Sequence, residues 1–425
     1  MPRTTSLFTP PAAGRTPHPG LAHRRAAAVV TVVGPDGSPV AGTDIVVEQT
    51  KHRFLFGCIG FDLIDHACGA PREAEYEQRL ADQWSDLFNA ATLPFYWGRF
   101  EPERGRPQAE PIRTAARWFA DRGALVKGHP LVWHTVCAPW LLGLSNDEIE
   151  RLQRDRIRRD VADFAGVIDT WDAINEVVIM PVFEAEDNGV TRIARQLGRI
   201  EMVRLAFEEA RAVNPAATLL LNDFDMSTAY ECLIEGVLEA GIKIDKLGLQ
   251  SHMHQGYWGE EKTLDVLERF SRYNIPIHFT ETTLLSGDLM PPHIVDLNDW
   301  QVDEWPSTEE GEARQAEEIE RHYRTLLSHP SVEAVTYWGL SDRDMWLNAP
   351  GGLVRPDGTP KPSYERLRHL VKGEWWTGPT RLRTDDDGRV TVNGFLGDYR
   401  IDVPGTGAAA ITLDAPGETT VVARI

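Results

Sequence analysis

The sequence has few cysteines, no long apolar run and no phosphate-binding motif. Cys58, Cys68, Cys137 and Cys232 lie far apart without a CxxC pair, so neither a zinc knuckle nor a disulfide framework is indicated. No stretch approaches 18 apolar residues, which predicts no membrane-spanning helix. No GxGxxG motif follows the first strand of the main domain and no GxxxxGK[ST] motif occurs. The usual dinucleotide and nucleoside triphosphate interpretations are therefore removed.

Positive charge is also scarce. Forty-four Lys and Arg residues face 64 Asp and Glu residues, which gives a net charge of -20. This charge repels phosphate backbones and anionic lipids, so we expect neither nucleic acid nor a membrane as partner. The first 28 residues lack the apolar core of a secretory signal. A cytoplasmic location is the resulting expectation, and a secreted one if a native leader is missing from this sequence.

Composition and patterning predict a large main domain with β-rich ends. The chain is 425 residues long, with 42% hydrophobic and 25% charged residues, which is typical of a globular protein with a large core. We predict a disordered leader over 1–24, N-terminal strands over 25–50, a main domain over 51–373 and a C-terminal β module over 374–425. The runs 28–33 and 44–48 flank a Gly-Pro-Asp-Gly turn, which predicts an antiparallel hairpin. The terminal strands form accessory β modules or a single shared sandwich.

Between these ends, apolar β-rich runs alternate with amphipathic helical stretches. Strands are predicted at 54–59, 90–96, 125–133, 167–174, 218–223, 246–251, 276–280 and 334–338. Ser145 followed by Glu148 predicts a capping box at the start of one intervening helix. Eight β/α units in about 320 residues predict a (β/α)8 TIM barrel, an α/β fold whose active site lies at the carboxyl ends of the strands. A doubly wound open sheet is the alternative.

Two glutamates close predicted strands four and seven. Glu176 follows Trp-Asp-Ala-Ile-Asn, and Glu281 follows Phe-Thr. Glycosidic cleavage needs such a pair, because one carboxylic acid protonates the leaving oxygen and the other carboxylate attacks the anomeric carbon. His and Trp residues follow strands three, six and eight, and their imidazole and indole groups are suited to binding sugar hydroxyls and rings.

Five segments carry a family resemblance. They are GHPLVWH (128–134), WDAINE (171–176), GLQSH (248–252), FTE (279–281) and YWGLSD (337–342). In this order and approximate spacing the sequence resembles the family 10 glycoside hydrolases, typified by endo-1,4-β-xylanases. The resemblance implies a retaining double displacement without metal or cofactor, with Glu176 as general acid/base and Glu281 as nucleophile. It implies a β-linked polysaccharide or oligosaccharide as substrate, with substrate contacts from His134, Asn175, Gln250, His252, Trp338 and Trp346. We expect a monomer.

The sequence departs from the family pattern at two places. Towards the end of strand two, Leu93 and Tyr96 stand where the family has an Asn and a Lys that grip the glycone sugars. Tyr96 and Trp97 are predicted to stack on sugar in their place or, with Phe95, to fill the barrel core. Thr283 replaces an acid that usually orients His252.

Several functions remain open at this point. The leading one is hydrolysis of β-1,4-xylosidic linkages in xylan or xylo-oligosaccharides. Short decorated oligosaccharides or saponin-type glycosides are the alternative substrates that the altered loop would permit. From other classes, a metal-dependent hydrolase using His129, His252 and His254, and a non-catalytic carbohydrate-binding barrel, are less favoured.

Overall fold

The computed structural model describes residues 19–425. Its strands are β1 Arg25–Val33, β2 Asp44–His52, β3 Leu55–Ile59, β4 Ala90–Pro94, β5 Leu125–His129, β6 Thr170–Asn175, β7 Thr218–Asp223, β8 Lys246–Met253, β9 Ile277–Leu284, β10 Val332–Tyr337, β11 Thr380–Arg383, β12 Arg389–Phe395, β13 Gly397–Val403, β14 Gly407–Leu413 and β15 Gly417–Arg424. Its α-helices are α1 Ile64–Ala67, α2 Ala74–Leu87, α3 Trp97–Phe100, α4 Ala109–Ala120, α5 Asn146–Phe164, α6 Gly189–Leu197, α7 Arg199–Val213, α8 Thr228–Glu239, α9 Gly259–Ser271, α10 Glu309–Ser328 and α11 Pro362–His369. Strands β3–β10 belong to one compact unit, and β1, β2 and β11–β15 belong to another.

The first unit is a closed barrel of eight parallel strands. Their order around the barrel is β10-β3-β4-β5-β6-β7-β8-β9, and the predicted (β/α)8 fold is confirmed. All residues of β6 and β9 are buried, because these strands pack side chains both into the barrel and against the surrounding helices. Helix α5 begins with the predicted capping box, in which Ser145 and Glu148 cap each other's backbone amides.

One strand end differs from its prediction in a way that concerns the site. Strand β9 continues to Leu284 rather than ending at residue 280. Thr282 and Thr283 are buried β-branched residues that extend the pairing with β8. Glu281 therefore lies inside a strand, where its backbone is held on both sides.

The second unit is a two-sheet sandwich that both ends of the chain build. One sheet has the order β12-β1-β15 and the other β11-β2-β13-β14, and alternating side chains of both sheets fill a single core. The predicted hairpin of the first two strands is wrong, because β1 and β2 lie in different sheets. Residues 34–43 carry the chain from one sheet to the other, so β1 pairs with β12 and β15 instead.

The chain before β1 is partly described. Pro19–Arg24 forms a 3-10 helix, so the leader is not disordered over residues 19–24, and the prediction for 1–18 lies outside the described residues. Arg24 fixes this helix by donating hydrogen bonds to the carbonyl oxygens of Leu327 (3.0 Å) and His329 (2.7 Å). Over residues 19–425, no helix combines the length and apolar character that crossing a membrane requires.

Candidate active site

Glu176 stands immediately after β6 in a strained backbone conformation. Its φ angle is 56°, a left-handed value that costs a non-glycine residue roughly 1 kcal/mol. The backbone amide is held there by a 2.8 Å hydrogen bond to the carbonyl oxygen of Asn222. The carboxylate accepts hydrogen bonds from Trp133 Nε1 (2.7 Å), Asn175 Nδ2 (3.1 Å) and Gln250 Nε2 (3.1 Å). Strain maintained by several contacts is typical of a functional position.

Glu281 is the second buried carboxylate of the site. Asn222 Nδ2 donates to its Oε1 (2.9 Å), and His252 Nε2 donates to its Oε2 (3.1 Å). The other ring nitrogen of His252 lies 3.0 Å from Thr283 Oγ1. Thr283 therefore does orient His252, as a neutral hydroxyl where the resemblance leads one to expect an acid.

Two amide side chains join the carboxylates. Asn222 Nδ2 donates to Glu281 and also to Asn175 Oδ1 (2.7 Å), while Asn175 in turn donates to Glu176. The amide orientation of Asn222 is fixed by Thr280 Oγ1, which donates to its Oδ1 (2.5 Å). The predicted pair Glu176 and Glu281 thus belongs to one hydrogen-bond network. Asn222 is not among the residues predicted for the site, although Asn222 follows the apolar run of β7 as Glu176 follows that of β6.

The two carboxyl groups have opposite pKa shifts. Burial and then the negative charge of Glu281 raise the pKa of Glu176 from 4.5 to about 8. Burial also acts to raise the pKa of Glu281, but the positive field of His129 and the hydrogen bond and charge of His252 outweigh it, and the pKa is lowered. His129 is itself fixed by a 2.7 Å hydrogen bond from Nδ1 to Asp172. At neutral pH, one carboxyl is protonated and the other ionised.

Aromatic rings surround the network. Trp338 lies 5.0 Å from His129 and 6.1 Å from His252 between ring centroids, and Trp346 lies 5.0 Å from His252. Tyr96 lies 5.6 Å from His129 and 5.4 Å from Trp133. The structure therefore brings Tyr96, Trp338 and Trp346 together with the carboxylate pair, as it does Asn175, Gln250 and His252.

Trp97 and His134 are placed differently from the rest of the predicted site. Trp97 is 5% exposed, its indole donates to Glu101 (3.3 Å), and Trp140 packs edge-on against it. It lacks the open ring face that sugar stacking needs, so the core alternative describes it, and the same holds for the fully buried Phe95. His134 is buried against Phe183 at 4.3 Å, and burial lowers its pKa to about 3.

The arrangement does not resemble a metal centre. Both ring nitrogens of His252 already have protein partners, Glu281 and Thr283. Within residues 19–425, no three His, Cys, Asp or Glu side chains are grouped as potential metal ligands. A buried pair of carboxyls on the carboxyl-terminal side of a parallel barrel is instead the arrangement of an enzyme that cleaves glycosidic bonds.

Comparisons with known proteins assign the family. Residues 64–370 match the model of glycosyl hydrolase family 10, and the chain belongs to that family. It is a xylanase-like glycoside hydrolase. The chain is 28% identical over 297 residues to endo-1,4-beta-xylanase B of Thermotoga neapolitana, a match covering 65% of this chain and 78% of the relative.

A second relative is longer, and the solved structures agree in fold. Anti-sigma-I factor RsgI6 of Acetivibrio thermocellus is 25% identical over 396 residues, which are 91% of this chain but only 46% of that protein. Xylanase 10B from Thermotoga petrophila RKU-1, solved in complex with xylobiose, superposes with a TM-score of 0.62 at 22% identity, covering 75% of this chain and 94% of that one. At this identity the likeness concerns the fold alone.

Proposed function

We propose that the protein cleaves β-1,4-xylosidic linkages in xylan or xylo-oligosaccharides by a retaining double displacement. Glu281 is the nucleophile and Glu176 the general acid/base. The observation that carries the proposal is the shared network in which Glu281 is held ionised beside a protonated Glu176. These are the two protonation states with which a retaining reaction must start.

In the first step, a Glu281 oxygen attacks the anomeric carbon and the bond to the leaving oxygen breaks. Glu176 transfers its proton to that oxygen, so the leaving group departs as a neutral alcohol. The product is a glycosyl ester on Glu281 and an ionised Glu176. Trp133 and Gln250, which donate to the Glu176 carboxylate, stabilise the charge that forms there.

In the second step, the altered charge reverses the role of Glu176. Esterification removes the negative charge of Glu281, which is the second largest cause of the raised Glu176 pKa. The pKa of Glu176 therefore falls, and its carboxylate takes a proton from water as the water oxygen attacks the anomeric carbon. The ester bond breaks, Glu281 leaves as a carboxylate, and the two inversions give net retention.

The choice of xylose-containing substrates comes from the relatives, whose names are those of endo-1,4-beta-xylanases. A second substrate class is favoured by the end of β4 and the loop that follows it. Leu93 is fully buried and Tyr96 packs among His129, Phe61 and Trp133, so the hydrogen-bond donors expected for glycone sugars are replaced by apolar surface. Short or decorated oligosaccharides and saponin-type glycosides are therefore the second candidate substrates.

Trapping the glycosyl ester tests the proposal. A 2-fluoro β-xyloside and a 2-fluoro β-xylobioside with good leaving groups are incubated with the protein, and peptide masses are measured. We expect the added mass on the peptide containing Glu281, no label in Glu281→Gln, and normal labelling in Glu239→Gln, which alters an exposed residue at the end of α8. Labelling of another carboxyl would refute the assignment of the nucleophile. Product profiles on linear and decorated xylan then separate the two substrate classes.

A further inference from the structure

The loop between β9 and α10, residues 285–308, carries an aromatic cluster that the proposed mechanism does not use. We call the rings of His254, Trp300, Trp305 and Trp346 the loop cluster. Centroid distances are 6.1 Å from Trp300 to Trp305, 6.3 Å from Trp305 to His254 and 5.1 Å from His254 to Trp346. The ring centroid of Trp346 also lies 5.0 Å from that of His252, the histidine that is hydrogen-bonded to Glu281. The cluster is therefore continuous with the candidate active site.

The loop is fixed over this cluster. Ser286 and Ser307 hydroxyls are 2.6 Å apart at its base, where Gly287 and Ser307 form a bridge. Further along, the Gln255 amide donates to the carbonyl oxygens of Pro291 (3.0 Å) and Ile294 (2.7 Å). The rings are consequently presented in a defined arrangement before any ligand arrives, which lowers the entropy cost of binding.

The polar atoms of the cluster are either paired within the protein or, like Trp300 Nε1, buried without a partner, so none is accessible to a ligand. Trp346 Nε1 donates to Asn298 Oδ1 (3.2 Å), and Trp305 Nε1 donates to the carbonyl oxygen of Asp288 (2.8 Å). His254 is 0% exposed, and neither of its ring nitrogens has a hydrogen-bond partner. A sugar placed here would lose bonds to water without replacing them. An apolar group would lose nothing and would gain ring contacts.

Two further features of the loop narrow the ligand. Leu289 is 39% exposed and Val295 is 97% exposed, so the same loop also exposes apolar side chains to solvent. Residues 285–308 include five Asp or Glu and neither Lys nor Arg, so an anionic group would be repelled. The surface suits a neutral, flat, apolar group.

The position of the loop cluster in the barrel determines which part of a substrate would reach it. Strands β8 and β9 lie across the barrel from β4 in the closed order of strands. A glycoside whose glycone lies beside the loop after β4 therefore has its leaving group on the β8 and β9 side. We propose that the loop cluster is an aglycone subsite for a flat, neutral, apolar leaving group. This inference rests on the proposed hydrolysis, whose substrate class it extends.

Two alkyl xylosides test the inference. Methyl β-xyloside and 2-(2-naphthyl)ethyl β-xyloside have leaving alcohols of similar acidity, so their kcat/KM ratio reports aglycone binding. We expect wild-type protein to prefer the naphthyl compound by about tenfold or more, with Trp300→Ala and Trp305→Ala reducing the ratio towards one. Trp305→Phe should retain most of the preference because it keeps a flat ring. Trp118→Ala, which removes a partly exposed indole from α4, should leave the ratio unchanged.

The outcomes separate the inference from the proposed function. Hydrolysis with a ratio near one, or a ratio that Trp300→Ala and Trp305→Ala leave unaltered, would overturn the aglycone subsite and leave the hydrolase intact. If neither alkyl xyloside is hydrolysed, hydrolysis of xylotriose and linear xylan decides the proposed function, and calorimetric titration with 2-(2-naphthyl)ethanol decides the inference. Saturable binding that Trp305→Ala abolishes supports the subsite, whereas undetectable or unaltered binding overturns it.

Discussion

Asn222 offers the sharpest test of how the two carboxyl groups are coupled. Its side chain makes three hydrogen bonds, to Asn175, Glu281 and Thr280, at 2.5–2.9 Å. The alanine variant removes the donor to the ionised Glu281, and hydrogen bonds to charged groups contribute about 1.5–3 kcal/mol. Since about 1.4 kcal/mol corresponds to a factor of ten, we expect Asn222→Ala to lower kcat/KM roughly 10- to 150-fold.

The substitution also changes the electrostatics of the nucleophile, which provides a second readout. Without the donated bond, the ionised form of Glu281 is less stable, so its pKa rises and the acid limb of the pH profile moves to higher pH. Asn222→Asp should move it further, because a second carboxylate then faces Glu281. Gly248 leaves room for the Asn222 side chain in this position, because a Cβ at residue 248 would lie 2.3 Å from Asn222 Oδ1.

The assay is initial-rate hydrolysis of an aryl β-xyloside between pH 3 and 10, with circular dichroism to confirm folding. Asn214→Ala is the matched control. Asn214 lies between α7 and β7, at the opposite end of the strands, and its side chain donates a hydrogen bond to Asp169 (2.7 Å). We expect its kcat/KM to remain close to wild type. A folded Asn222→Ala variant with kcat/KM within threefold of wild type and an unmoved acid limb would contradict the coupling described here.

Three further changes test other parts of the structure. Glu281→Gln should lower the pKa of Glu176 from about 8 towards its ordinary value, measured by ¹³C NMR of labelled glutamate, and an unmoved Glu176 titration would exclude their coupling. Wild-type activity should correspondingly fall as the pH rises through about 8, where Glu176 loses its proton, and as the pH drops through the lowered pKa of Glu281. Tyr96→Lys should raise kcat/KM for xylotriose relative to an aryl xyloside about tenfold, because it adds a donor, and an equal change for both would argue against a glycone role. Gly128→Ala places a Cβ 2.2 Å from the buried Trp171 ring and should lower the free energy of unfolding in urea by about 1–3 kcal/mol, whereas unchanged stability would show that β5 can shift.

Local sequence order predicted the barrel, and it proposed two glutamates that the structure joins in one hydrogen-bond network. Parallel strands buried on both faces give uninterrupted apolar runs, and the polar residue after each run marks its carboxyl end. Glu176 was found on that basis. Glu281 was found too, although β9 continues beyond it because Thr282 and Thr283 suit a buried strand.

Strand pairings and side-chain contacts between residues far apart in the chain could not be predicted in the same way. Strand β1 pairs with β12 and β15, which lie about 360 to 390 positions later in the chain, and a nearby turn signal suggested β2 instead. The residues next to Trp97 in the sequence do not distinguish a sugar-stacking ring from a buried one. Its buried position is established by its contacts with Trp140 and Glu101.

Thr283, which stands where the family has an acid, shows how the network tolerates the absence of a negative charge beside His252. A hydroxyl beside His252 cannot stabilise an imidazolium as a carboxylate would, which by itself would disfavour the ionised form of Glu281. The lowered pKa of Glu281 depends first on the field of His129, however, and only then on His252. His129 donates to Asp172, whose Oδ2 also lies 2.7 Å from Lys127 Nζ. The charge of His129 on β5 and the hydrogen bond and charge of His252 on β8 thus keep Glu281 ionised against burial and the opposing charge of Asp172. The neutral hydroxyl of Thr283 within β9 is therefore compatible with a nucleophile that is ready for attack.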